Sequence, residues 1–345
     1  MTASPIKIWI NRAGPSRIQA MRMLRDNPDG RNVIIYATRT NLDNPSQKFC
    51  DVGGREPGSE ATDEEYAQFA VGHVRRHGIQ VVIPTARMAA LAMCSGELAA
   101  MGCTVMAPRQ EIAEITDSKT GTYRQAERMG VRVPPYFRVS SAAQFRDAVY
   151  RLRSGGHTAC VKPDTGWAAS SFRIIDDTAV CLNSLLASAA PVVDLETYAT
   201  ALDKAQVAGR EIPELIVMPF LDEPEWSVDM LSSAAGRVLA AVPRAKNGWY
   251  REFRNDPQAL EIARRLAEGL PLPYLSNVQM RYLEGELVLL EINPRASAGI
   301  FHTEATGTNL YWEAVKYALE GREEGIRQPD LGGRVLLSEL AVPVQ

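Results

Sequence analysis

Two periodicities divide the chain. Near the amino terminus short apolar runs alternate with amphipathic segments. Ile6-Lys-Ile-Trp-Ile10 reads as a strand, residues 15–24 as a helix with Ile18, Met21 and Leu24 on one face, and residues 33–37 as a second strand. Thr62-Asp-Glu-Glu65 forms a capping box that opens a helix to about residue 77, and Gly78 closes it. Val81-Val-Ile-Pro84 is a buried strand, followed by a helix to Met101. This βαβ alternation predicts a small α/β domain with a mostly parallel sheet. The turn Asn11-Arg-Ala-Gly-Pro-Ser-Arg17 lacks the GxGxxG spacing of a dinucleotide site.

After Pro108 the pattern predicts a helix opened by Asp117-Ser-Lys119 and ended by Gly130, a strand at 136–139, an amphipathic helix at 141–153 and a strand at 157–163. A turn-rich loop at 164–171, a strand at 172–175, a helix near 178–189 and the apolar strand Leu215-Ile-Val-Met218 follow. The last third shifts to period two, with strands at 226–231 and 238–243 around the turn 234–237. Asp256-Pro257 starts a helix to about residue 268, and further on come a hairpin, a helix at 310–319 and a strand from Arg334.

The hairpin, residues 277–293, carries unusual chemistry. Glu291, Asn293 and, past the proline, Arg295 look the same way from an apolar strand. A carboxylate there needs a cation, because burying it unpaired costs several kcal/mol. If Glu284-Gly285-Glu286 is a three-residue loop, Leu283 pairs with Leu287 and Gln279 sits opposite Glu291. Gln279, Glu291 and Asn293 then form a set of hard oxygen donors suited to Mg²⁺ or Mn²⁺, with positions left for phosphate oxygens and water. A solvated hairpin with a surface glutamate is the rival reading, and the Asn-Pro-Arg that follows argues against it.

Composition narrows the classes. At about 150 residues per domain, 345 residues imply two or three domains. A net charge of -3 argues against nucleic acid as the main partner. There is no run of about 18 apolar residues and no signal-peptide pattern, so neither a membrane span nor secretion is expected. Cys50, Cys94, Cys103, Cys160 and Cys181 are scattered without CxxC spacing, which fits reduced thiols in a cytoplasmic protein. Four histidines, read as containing no spaced pair, make a histidine metal site unexpected.

Several groups invite an anion. Lys162 ends a buried strand before the loop that carries Ser170 and Ser171, a plausible phosphate cradle; alone, an edge-strand lysine guarding against aggregation is an equal reading. Lys119 opposes the dipole at a helix start unless an anion is bound there. Glu225 and Asp229 share one strand face, where one could accept a ribose hydroxyl or both could be solvated. Arg244 and Lys246 could meet a phosphate or a carboxylate, and His302 follows the Asn-Pro-Arg loop toward substrate.

Taken together these residues resemble the ATP-grasp superfamily, most closely the synthetase modules of the carbamoyl-phosphate synthetase large subunit, collinearly over roughly residues 5 to 320. The motifs that carry it are Asn277-Val-Gln-Met and Glu291-Ile-Asn-Pro-Arg295. The resemblance implies an α/β and α+β chain with an ATP-grasp fold behind an amino-terminal pre-ATP-grasp, Rossmann-like domain. The divisions would be 1–110, 111–225 with a lid core at about 150–220, and 226–345. It implies Mg²⁺ ligands at Gln279, Glu291 and Asn293, phosphate contacts from Lys119, Lys162, Ser170 and Ser171, and charge stabilisation by Arg295 with Arg244 and Lys246. Glu225 would bind ribose, and Pro213-Glu-Leu-Ile-Val-Met-Pro-Phe-Leu221 resembles the adenine hinge, with Val217 and Met218 at its centre. The family's phosphate loop is usually glycine-rich, whereas residues 164–171 contain only Gly166, and Pro219 replaces a common hinge acid.

The resulting expectation is an ATP-dependent ligase that joins a small-molecule carboxylate to an amine or thiol through an acyl phosphate, releasing ADP. The acceptor would lie near residues 14–17, residues 85–87 and the loop after Arg295, with Arg17, Arg87 and His302 as contacts. Self-association into a homodimer is left open. Two alternatives are a bicarbonate- or carbamate-phosphorylating enzyme and a nucleotide-binding regulatory protein with weak catalysis.

Overall fold

In the computed structural model, which describes residues 4–166, 171–178 and 191–338, the βαβ opening forms as its pattern dictates. Strand β1 (Ile6–Ile10) leads through a 3-10 turn, Pro15–Arg17, into α1 (Ile18–Arg25) and β2 (Val33–Arg39). Pro15 at the start of that turn leaves the regular helix to begin three residues later than the apolar pattern suggests. Then come β3 (Val52–Arg55), α2 (Asp63–His77), β4 (Val81–Ile83), α3 (Met88–Met93), α4 (Ser95–Ala100) and β5 (Thr104–Val105). The helix expected to run to Met101 is instead two short ones separated at Cys94. The capping box is present in both directions, and Gly78 takes the left-handed conformation, φ 63°, that ends α2. The sheet order is β3-β2-β1-β4-β5, with parallel pairing throughout.

The middle of the chain supplies α5 (Gln110–Asp117), α6 (Lys119–Arg128), β6 (Phe137–Val139), α7 (Ala142–Ser154), β7 (Ala159–Pro163), β8 (Arg173–Ile175), β9 (Val192–Val193), α8 (Leu195–Val207) and β10 (Leu215–Pro219). Its sheet order is β6-β10-β7-β8-β9, with β10 antiparallel to both neighbours. The helix expected near 178–189 lies outside the described residues. One face of this sheet packs Val161, Leu215 and Val217 against Phe145, Val149 and Leu152 of α7.

The last third gives β11 (Asp222–Ser232), β12 (Val238–Asn247), β13 (Tyr250–Phe253), α9 (Pro257–Gly269), β14 (Tyr274–Leu283), β15 (Glu286–Asn293), a 3-10 helix Ile300–Thr306, α10 (Leu310–Glu320) and β16 (Arg334–Leu336). Its sheet order is β15-β14-β11-β12-β13-β16. By contacts the chain forms two compact units, one of Met1–Thr116, Pro224–Met280 and Ile292–Gln345, the other of Asp117–Glu223 and Arg281–Glu291. In the first, residues of β1, β2 and β4 share a core with Val242, Leu275, Trp312 and Val315. Among the described residues no helix is long and apolar enough to cross a membrane. Cys50, Cys94, Cys103 and Cys160 are all free thiols, and Cys181 lies outside the described residues.

The β14–β15 connection differs from the expected three-residue loop. Only Glu284 and Gly285 form the turn, both with positive φ, 52° and 80°. That is the primed geometry whose twist matches a two-residue hairpin. Such a turn closes on Leu283 and Glu286, so the pairing of Leu283 with Leu287 that set Gln279 opposite Glu291 is not the one the turn dictates.

Candidate functional site

In the second unit Asp164 organises the phosphate-seeking lysines. It follows β7 and is buried. Its Oδ1 accepts the Thr120 amide at 2.8 Å, and its Oδ2 accepts Ser118 Oγ at 2.7 Å and Thr120 Oγ1 at 3.0 Å. The Asp164 carbonyl accepts the Lys119 amide at 3.0 Å. A carboxylate thus sits at the amino end of α6, where the helix dipole favours it. This is the anion that Lys119 at a helix start required, although it comes from the protein itself. The Lys119 ammonium donates to the carbonyls of Asp164 (3.2 Å) and Gly166 (3.0 Å), and α6 is thereby tied to the start of the 164–171 loop.

Lys162 lies on β7 opposite Ile216. Burial pushes its ammonium down to about 8, and nearby Lys119 pushes the same way, while Glu291 pulls it up. Glu291 and Asp164 are the two carboxylates of the same unit that favour the charged form of Lys162, so the two lysines stand among two acids, one of which also caps α6. The tip of the hairpin contributes here as well: Tyr123 donates its hydroxyl to the Leu290 carbonyl at 2.9 Å and lies 3.7 Å from the Met218 sulfur.

Along the same face of β7 and β10 the surface turns apolar. Cys160, Met218, Leu221, Leu283 and Val288 form one group, with Tyr136, Phe172 and Leu290 packed against it. Met218 points into it, but Val217 points into the opposite core, so only the main chain of Val217 is open to a hinge role. Pairing of β10 with β6 ends at Val217. Ser171 is exposed, and Ser170 lies outside the described residues.

In the first unit, period-two alternation puts a polar stripe on one face of the antiparallel sheet. Register pairs Glu225 with Lys246 and Ser227 with Arg244. Lys246 makes an ion pair with Glu225, the residue expected to bind ribose. Arg244 donates to Ser227 Oγ at 3.1 Å and Asp229 Oδ2 at 2.8 Å. Asn277 donates to Ser227 Oγ at 3.0 Å and Asp229 Oδ1 at 2.9 Å, and Gln279 in turn donates to the Asn277 amide oxygen at 3.1 Å. The Arg244–Asp229 pair is almost wholly buried, with side chains 2% and 0% exposed. Gly299 is required beside it, since a Cβ there would lie 3.1 Å from both terminal nitrogens of Arg244. Both ring nitrogens of His302 are buried without a partner. Burial first, then Arg244, push the imidazole down to about 4, which keeps it neutral near pH 7.

The expected acceptor contacts are held by main chain. Arg17 is buried and donates to the carbonyls of Ser297 and Ala296, both at 3.1 Å, and to the Tyr311 hydroxyl at 2.9 Å. It joins the turn after β1 to the loop that follows Arg295. Arg295 itself donates to the Ala296 carbonyl at 3.2 Å. Arg87, at φ 59°, donates to the carbonyls of Ala61 and Thr62, pairs with Asp63 at 3.1 Å and lies over the Tyr66 ring. Gln279 and Asn293 belong to the first unit and Glu291 to the second. Asn293 is buried, and Gln279 and Glu291 are half-buried.

Sequence reasoning missed Asp164 as a cap and Ser227 and Asn277 as links in the stripe. The odd-numbered polar positions 225, 227, 229 and 277, 279 were the available signal. It also missed a histidine pair: His73 and His77 stand one helical turn apart on α2, with ring centroids 4.7 Å apart. Among the described residues, however, no group of three His, Cys, Asp or Glu side chains could hold a metal.

Residues 211–339 match a family model described as ATP-grasp in the biosynthetic pathway with Ter operon. No curated protein matches the chain. Among solved structures, N5-carboxyaminoimidazole synthetase from Staphylococcus aureus complexed with ADP matches at a TM-score of 0.67 and 11% identity, covering 93% of this chain and 79% of that one. Biotin carboxylase from Campylobacter jejuni matches at 0.65 and 14%, covering 95% and 74%. L-amino acid ligase from Bacillus licheniformis matches at 0.62 and 14%, covering 95% and 78%.

Proposed function

We propose, from the premise that the chain belongs to the ATP-grasp superfamily and has its fold behind an amino-terminal parallel-sheet domain, that it is an ATP-dependent ligase releasing ADP. The observation that carries this reading is that Lys119, bonded to the Asp164 carbonyl at the end of β7, lies beside the strand that carries Lys162, with Glu291 and Asp164 as the acids acting on that lysine. A polyphosphate resolves the repulsion of such a pair, as both lysines then donate to anionic oxygen.

Taken singly, the Glu291 carboxylate is a hard oxygen donor of the kind a divalent cation takes. Bound Mg²⁺ would supply charge neutralisation between nucleotide phosphates. The chain's own share is positioning and positive charge, which dominate phosphoryl transfer. Lys162 and Lys119 would hold the phosphates. In the reaction proposed, a substrate carboxylate oxygen bonds to the γ-phosphorus as the bond to ADP breaks. An amine then displaces phosphate from the acyl carbon and loses a proton. Neighbours named as a synthetase, a carboxylase and a ligase, and a family description naming a biosynthetic pathway, support this direction.

Measuring ADP and AMP across a panel of carboxylates and amines tests the proposal. ADP formed in step with carboxylate consumption is expected, and strict AMP formation contradicts it. Glu291→Ala should abolish turnover with the melting temperature kept; a collapsed fold would point to a purely structural glutamate.

A further inference from the structure

The parallel sheet of the first unit changes direction at β1: the chain steps outward to β2 and β3 on one side, then to β4 and β5 on the other. Ligands of open parallel sheets bind outside the carboxyl ends of the strands at such a switch point. The turns after β1 and β4 are locked together there. Asn11 Oδ1 accepts the Thr85 amide at 2.8 Å, its Nδ2 donates to the Ala86 carbonyl at 2.8 Å, and Thr85 Oγ1 donates to the Asn11 carbonyl at 2.6 Å. Beneath them lies Glu56, buried, which pairs with Arg12 at 2.5 Å and accepts Thr38 Oγ1 at 2.5 Å and the Tyr66 hydroxyl at 3.0 Å.

Charge at this edge does not balance. Glu56 answers Arg12 and Asp63 answers Arg87. Arg39, at the end of β2, donates to the Arg12 carbonyl at 2.8 Å and meets no carboxylate among the described residues. Its Nη1 lies 3.1 Å from where a Gly14 Cβ would stand, so the turn is open to the guanidinium because residue 14 has no side chain. Arg17, three residues further on, is 5% exposed and has carbonyls and one hydroxyl as its partners. A buried guanidinium with no counter-charge is costly, and Arg39 brings a second uncompensated cation from β2 to the turn that Arg17 ends.

We infer that the acceptor of the proposed ligase carries an anionic group, phosphate or carboxylate, which docks on the turn after β1 with Arg39 as its direct contact and Arg17 as the supporting charge. This rests on the ligase reading for the word acceptor; the anion site itself stands on the geometry. With Nη1 held by the Arg12 carbonyl, Arg39 has its other guanidinium donors left for an oxyanion, and the Asn11–Thr85 link holds the turn in place for it.

Thermal melting and calorimetry with inorganic phosphate and with acetate, both in saturating Mg·ADP so that the lysine pair is filled, test the inference. Wild type should be stabilised by phosphate alone if the ligand bears a phosphate, and by both anions if it bears a carboxylate. Arg39→Gln should bind the effective anion at least about tenfold more weakly while its response to Mg·ADP is kept. Gly14→Ala, which crowds the guanidinium, should show a smaller loss, and Arg39→Lys a partial recovery. No stabilisation of wild type by either anion, or an Arg39→Gln response equal to wild type, overturns the site. Anion binding that depends on Arg39 in a protein that ignores Mg·ADP would keep the site and remove the ligase reading.

Discussion

The buried charges of the two units are arranged in opposite ways. In the first unit Arg244, Asp229, Ser227 and Asn277 close on one another, so that the guanidinium and carboxylate each have partners within 3.1 Å. In the second, Lys119 and Lys162 lie among Glu291 and Asp164, and the Asp164 oxygens are engaged by the neutral donors of the α6 cap rather than by an ammonium. The first network fixes the shape of a sheet face, although Arg244 Nε remains buried without a partner. An open one is stable only at a cost that a ligand of opposite charge relieves. This difference is the reason to place the nucleotide at the lysines and to read Arg244 as a holder of the face.

The largest effect should come from opening the closed network. Asp229→Ala leaves Arg244 buried without its carboxylate and should cost about 3–5 kcal/mol in chemical denaturation; a loss below about 1 kcal/mol would mean that the pair is hydrated and the contrast unfounded. Asp164→Ala comes next. It removes the acceptor for the Thr120 amide and two hydroxyls, so about 1–3 kcal/mol of stability should go. Nucleotide affinity should fall with it, because the cap that holds the start of α6, and with it Lys119, against the end of β7 is lost; unchanged affinity would show that the lysine does not depend on the cap.

A smaller effect distinguishes a third kind of buried group. His73 packs against Trp9 and Phe69, and burial lowers its pKa from 6.5 to about 4. The native state favours the neutral ring. Between these values the unfolded chain binds a proton that the folded chain refuses, so stability is full above pH 6.5 and declines as pH falls toward 4. Urea midpoints measured across that window should fall less in His73→Phe than in wild type. Parallel curves would assign the decline to other groups, His302 first among them.

Local pattern carried the three central strands of the first sheet, the capping box and most strands of the last third, since each depends on neighbours a few residues away. Segments with weak local signals did not show themselves. Strand β3 has two glycines in four residues, which lowers strand propensity, and it forms by pairing with β2. Helix α8 went unread although Asp194 accepts the Thr197 amide at its start, a cap visible in sequence. The need of Glu291 for a cation was legible from burial chemistry, but its identity, Lys162, was not, because more than a hundred residues separate them. Lys119 and Asp164 show the same limit. Glu284 at φ 52° defeated the turn assignment, since glycine or asparagine ordinarily marks such a position.

The lysine pair as a phosphate cradle is the central claim, and calorimetric titration of Mg·ATP into wild type and Lys162→Met tests it most directly. Wild type should bind and Lys162→Met should bind at least about tenfold more weakly. Equal affinity in the two proteins would contradict the account.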